Sequence, residues 1–211
     1  MNTKKSNQSY FIGFIKTIIL ILVFTSSFSL SKSQCPSPPD CPADPFVPGT
    51  PYVQYISPGC SVTVNWCWRV ACGVYYDFVV TSIVFSNPTC YSSTIQMNQI
   101  VDEAFKDAIK NNPWNANIPP CPAKMTGWRL GRIGCAAVFT DTGNQLRWVP
   151  CIPETRCWEV YEICYLSPSF GGTYEINLVD TFPTQSCSTT QQPEVPIEWI
   201  DWQEGCQNIC N

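Results

Sequence analysis

The chain has 211 residues, with 16 acidic residues against 12 basic ones, 14 cysteines, 8 tryptophans and no histidine. The missing imidazole removes Ser-His-Asp catalysis, Cys-His catalysis and histidine-based metal sites together. The acidic balance, net −4, repels phosphate backbones and anionic lipid, so no nucleic-acid partner is expected.

Residues 1–33 read as an export signal. Lys4 and Lys5 form a charged head, Ile18 to Phe24 is unbroken apolar sequence, and Thr25 to Ser33 is small and polar. Cleavage is expected between Ser33 and Gln34. A membrane anchor would need ~20 apolar residues, and Lys16 and the Ser/Thr-rich end interrupt this run. No later stretch is long and apolar enough, so no transmembrane segment is expected in the mature chain. Four of the 12 basic residues (Lys4, Lys5, Lys16, Lys32) leave with the leader and all 16 acids stay, which takes the mature chain to −8.

All 14 cysteines stay as well: Cys35, Cys41, Cys60, Cys67, Cys72, Cys90, Cys121, Cys135, Cys151, Cys157, Cys164, Cys187, Cys206 and Cys210. An even number in an oxidising compartment reads as a disulfide framework. No Cys-x-x-Cys occurs, so the usual zinc and thioredoxin-like spacings are both absent. No metal or other cofactor is expected. Spacing alone does not give the pairing.

Residues 34–59 form a Pro-rich extended arm, with Pro at 36, 38, 39, 42, 45, 48, 51 and 58. Such an arm can link, or lie across the domain or a neighbouring subunit. Residues 60–190 read as a disulfide-stapled β-rich domain. Val62, Val64, Trp66, Trp68 and Val70 alternate with Thr63, Asn65, Cys67 and Arg69, the period of a strand. Tyr75 to Phe85 is β-branched and aromatic, a second strand. Over 97–111 the period changes: Met97, Val101, Ala104, Phe105, Ala108 and Ile109 line one stripe of an amphipathic helix. Asp102 and Lys106 are spaced as an i,i+4 pair, and Asn111-Asn112-Pro113 ends the helix.

Residues 113–127 read as loop, 128–139 and 145–151 as two strands of a hairpin, and 157–166 and 173–179 as further strands. Asp141-Thr142-Gly143 resembles the catalytic loop of aspartic proteases. It stands once, is preceded by Thr140 and is followed by Asn144, so a hairpin turn accounts for it better. Residues 191–211 form a C-terminal tail with Trp199, Trp202, Cys206 and Cys210.

The fold expected is mainly β (a β-rich α+β class), an antiparallel sheet or sandwich with one amphipathic helix near 97–111. The function expected is that of a secreted or cell-surface, non-catalytic recognition or assembly module, meeting a protein or glycan surface or a second copy of itself. Trp114, Trp199 and Trp202, in predicted loop or tail, are the candidate contact patch. A carboxylate-dependent hydrolase drawing on Asp77, Glu159, Glu162 or Glu175, and an inhibitor presenting loop 112–124, are the alternatives.

Overall fold

The computed structural model describes residues 35–36, 40–151, 156–182, 187, 199–202 and 206–208. The expected leader, its cleavage site at Ser33 and Gln34, and Cys210 lie outside the described residues. The elements are β1 (Val47–Pro48), β2 (Tyr52–Ser57), β3 (Cys60–Ala71), β4 (Tyr75–Phe85), a helix α1 (Thr94–Asn111), β5 (Met125–Ile133), β6 (Cys135–Asp141), β7 (Leu146–Pro150), β8 (Arg156–Tyr165), β9 (Tyr174–Phe182), β10 (Trp199–Trp202) and β11 (Gln207–Asn208). This is the β-rich, disulfide-rich α+β class that the sequence indicates. It is built as one curled sheet, and not every pair in it is antiparallel.

The long strand β4 organises the sheet. On one side β3 follows it from Val62↔Phe85 to Ala71↔Tyr75, antiparallel, and carries β1 and β2 on its outer edge. On the other side β4 has two neighbours. Its first half pairs with β5 in parallel, Tyr76↔Trp128 to Val79↔Gly131, and its second half pairs with β7 antiparallel, Ile83↔Trp148 to Phe85↔Leu146. The sheet therefore forks into one arm β5-β8-β9 and another β7-β6 with β10 and β11. Parallel neighbours cannot be joined by a tight turn, and α1 is the crossover between β4 and β5.

This fork corrects the reading of 128–139 as one strand. The segment breaks at Gly134 into β5 and β6, which belong to different arms. The hairpin itself stands: β6 and β7 pair from Ala136↔Pro150 to Thr140↔Leu146. Asp141 Oδ1 accepts from the backbone N–H groups of Gly143 and Gln145 at 2.9 Å each, Asn144 takes the left-handed conformation at φ 57°, and Arg147 Nε donates to Asp141 Oδ2 at 2.6 Å. Asp141 is a turn residue.

The helix starts three residues before its predicted limit. The Ser93 hydroxyl accepts from the Gln96 N–H, and the Gln96 side chain accepts in return from the N–H of Ser92, a capping arrangement. Asn112, left-handed at φ 46°, ends it. The predicted stripe packs into the concave face of the sheet, with Phe105 against Phe78 (5.5 Å between ring centroids) and Tyr161 (5.3 Å). The expected Asp102–Lys106 pair does not form: Lys106 reaches Glu103 at 2.7 Å, and Asp102 instead binds Arg132 on β5. Arg132 also contacts Glu159 and the Asn98 carbonyl, so one guanidinium fixes the helix to the sheet.

The convex face is covered by the two ends of the described chain. Phe46 packs with Cys67, Val79, Cys35 and Trp158 on one half, and Cys206 and Cys187 pack with Cys135, Cys151 and Ala137 on the other. Disulfides hold both covers: Cys35–Cys67 and Cys41–Cys72 for the first, Cys135–Cys187 and Cys151–Cys206 for the second. Cys60–Cys90 and Cys121–Cys164 tie loops to the sheet, Cys157 is disulfide-bonded too, and no described cysteine is free. The Pro-rich arm thus lies on its own domain, where residues 52–57 join the sheet as β2. Among the described residues no helix is long and apolar enough to cross a membrane.

Candidate ligand-binding groove

Curling brings the two outer strands, β2 and β9, to the two flanks of α1, whose apolar stripe is turned inward. The outward helix residues Glu103, Lys106, Asp107 and Lys110 then floor a cleft of about 690 Å³, with Tyr52 of β2 on one side and Tyr174 and Ile176 of β9 on the other. The β8–β9 loop forms a rim of this cleft. Gly171 at φ 93° and Gly172 at φ 59° let it turn, and the Gly172 N–H closes onto the Ser167 carbonyl at 3.2 Å.

Two further depressions adjoin the cleft. One of about 490 Å³ shares Glu103 with it and is walled by Gln54, Tyr55 and Gln99; Tyr55 is 83 % exposed. The other, about 290 Å³, shares Asp107 and is walled by Pro48, Pro51, Trp66, Trp68 and Asn111. Its rim is rigid. The Gly49 N–H donates to the Trp66 carbonyl at 2.9 Å, and Trp66 Nε1 donates to the Thr50 carbonyl at 2.7 Å. A Cβ on Gly49 would stand 2.5 Å from the Trp66 ring, so only glycine lets the chain lie on that indole.

The groove's charges cancel locally. Lys106 is paired with Glu103, and Asn111 Nδ2 donates to Asp107 Oδ2 at 3.0 Å. Two carboxylates face two ammonium groups along the helix. Burial raises the Tyr52 hydroxyl above the usual phenol range, and the nearby charges of Glu103 and Asp107 raise it further, so it stays a neutral donor and acceptor.

Beneath the opposite face lies a second polar assembly, buried at Arg69 and Asp77 and reaching the surface at Asp40. Arg69, Asp77 and Arg129 stand in register on β3, β4 and β5. Asp77 is fully buried and accepts from Arg69 Nε at 2.7 Å and from Arg129 Nε and Nη2 at 2.5 and 2.8 Å. Asp40, from the N-terminal cover, binds both arginines. Phe46 lies 4.5 Å from the Arg69 guanidinium, and Tyr75 4.2 Å from that of Arg129. Desolvation works against the Arg129 charge, but the hydrogen bonds and charges of Asp77 and Asp40 outweigh it and raise its pKa.

Of the three tryptophans of the expected contact patch, only the Trp114 side chain is described. Trp114 is buried, 5 % exposed, with its ring against Trp128 and its Nε1 donating to the Asp77 carbonyl at 3.1 Å. The loop after α1 folds back under the helix because Asn112 turns the chain, so a tryptophan in predicted loop becomes core. Trp199 and Trp202 have their backbones in β10, paired with Asp141 and Phe139 of β6; their side chains lie outside the described residues.

Each of the four acids considered for hydrolysis is engaged with a basic side chain, and Glu162 and Glu175 converge on the same one. Asp77 is in the buried row, Glu159 accepts from Arg132 and from the Tyr161 hydroxyl at 2.6 Å, and Glu162 and Glu175 flank Lys124. The groove residues Tyr52, Gln54, Asp107 and Asn111 were not singled out by sequence reading. For Asp107 and Asn111 the signal was the polar face of the predicted helix, which is usually only a solvated face; Tyr52 and Gln54, in the Pro-rich arm, gave none. Compared with family models, curated proteins and solved structures, the chain matches none.

Proposed function

We propose that the protein is an extracellular, non-catalytic recognition module that uses the groove along α1 to hold its ligand. The observation that carries this reading is the groove itself: an open, aromatic-walled, charge-balanced channel formed by elements that disulfides and prolines hold in place. A preformed rigid surface loses little conformational entropy on binding, which favours recognition. Two further features support it. The acids that sequence reading offered for hydrolysis each hold a cation of the fold. The density of disulfides suits an oxidising compartment, in keeping with the export signal read at residues 1–33.

The test is to express the full chain in an export-competent host. The product should be recovered outside the cytoplasm with Gln34 at its N-terminus, oxidised, and retained on a ligand-bearing surface that it leaves chemically unchanged. Recovery of a reduced cytoplasmic protein, or release of hydrolysis products that Glu159→Gln or Glu162→Gln abolishes, would overturn it.

A further inference from the structure

On the recognition reading just given, we infer that the ligand of the α1 groove is a neutral oligosaccharide. The charge argument comes first. Glu103 and Lys106 pair with each other, and Asp107 and Lys110 balance along the same helix face. A site whose two carboxylates and two ammonium groups sum to zero, on a chain that is net acidic, gives no attraction to a polyanion.

The second argument is chemical. Sugar hydroxyls both donate and accept, and planar side chains that offer both functions match them. The Asp107–Asn111 pair does so beside Trp68, and Gln54 and Gln99 do so at the other end. The apolar face of a sugar ring needs a flat apolar partner, which Trp68 and Tyr52 supply. The hydrogen bond from Asn111 fixes the Asp107 carboxylate, leaving its other oxygen to accept from a ligand hydroxyl.

The third argument is shape. Three adjoining depressions share walls at Glu103 and Asp107, in place of a single enclosed cavity. From Gln96 to Asn111 the helix covers roughly 22 Å at its usual rise, long enough for several sugar rings in file. The helix residues of the central cleft, Glu103, Lys106, Asp107 and Lys110, are all charged, which suits hydroxyl groups better than apolar side chains.

The experiment is calorimetry of the oxidised mature protein against neutral oligosaccharides of increasing length. An anionic polysaccharide and a displayed peptide library serve as comparisons. Affinity is expected to rise with chain length and then level off. Asp107→Asn and Asp107→Ala should each weaken binding about tenfold or more with an unchanged melting temperature. Lys124→Ala, away from the groove, should bind as the parent does. Binding of a peptide that Asp107→Ala abolishes, with no oligosaccharide bound, would overturn the ligand class and leave the recognition reading standing. Oligosaccharide binding indifferent to both Asp107 variants would overturn the site. No binding to any of the three probe classes by folded protein would sink both readings.

Discussion

A single carboxylate shows most clearly how burial and pairing are balanced in this molecule. Asp77 sits near the start of a largely apolar strand, and its burial would be costly without the two guanidinium groups that flank it in register. Removing one partner of a buried ion pair is worse than losing the pair, because the other charges remain in place unmatched. Asp77→Ala is therefore expected to cost about 3–5 kcal/mol in denaturant unfolding under oxidising conditions; a loss under ~1 kcal/mol would mean that the row is solvated. Sequence reading offered Asp77 only as a candidate hydrolytic acid. An acid among apolar residues was visible, but the identity of its partners depended on β5 lying beside β4, which no local pattern encodes.

Two other acids set the response to pH. The Asp40 carboxyl is lowered chiefly by the hydrogen bond from Arg129, with burial opposing and Arg69 adding to the effect. Asp141 is raised by burial, but the Gln145 N–H, Arg147 and the Gly143 N–H together bring it below the usual value. For a carboxyl whose folded pKa is depressed, the stabilisation is complete above the unfolded value, 3.8, and is lost as pH falls through the folded one. Melting temperature should hold steady from pH 7 to about 4.5 and fall below 3.8. A midpoint that stays level down to pH 2 would show that neither acid gains from its arginine.

At the scale of elements, the features fixed by local physics were legible and those fixed by neighbours were not. The alternation of β3, the apolar stripe of α1 and the turn at Asp141 each follow from a period or a turn chemistry contained in a few residues. Even there, β3 departs from simple alternation. Val62 and Val64 face the helix as read, while Cys67 and Arg69, on the face read as polar, are buried beneath the N-terminal cover. The division of 128–139 into β5 and β6 and the recruitment of the Pro-rich arm as β2 depend on the fork in the sheet. Proline at 51 and 58 flanks β2 without interrupting it, as suits an edge strand. The helix start was misread because the capping residues Ser92, Ser93 and Gln96 precede the apolar stripe. Ser93→Ala should cost about 1 kcal/mol, measured as a shift in denaturant midpoint without a change of slope; an unchanged midpoint would mean that packing alone sets the start of the helix.

For the whole molecule, the sequence's bulk features and its topology explain one another. A sheet curled around one helix buries its concave face but leaves the convex face open, and here that face is covered by the described segments around Phe46 and Cys206. Such thin covers bury little apolar surface by themselves. Disulfides at Cys35–Cys67, Cys41–Cys72, Cys135–Cys187 and Cys151–Cys206 supply what packing alone does not. The presence of a framework was legible in an even count of cysteines, whereas its connectivity was not, because it follows from strand order. The groove inherits its rigidity from the same framework: Cys35–Cys67 and Cys41–Cys72 anchor the segment that leads through Pro48 and Pro51 into β2. The most direct measurement of this account is non-reducing peptide mapping of the exported protein by mass spectrometry. The expected result is a product with no free thiol among the described cysteines and with the links Cys35–Cys67, Cys41–Cys72, Cys60–Cys90, Cys121–Cys164, Cys135–Cys187 and Cys151–Cys206. Free thiols at these positions, or Cys35 and Cys41 linked to the C-terminal half, would contradict it.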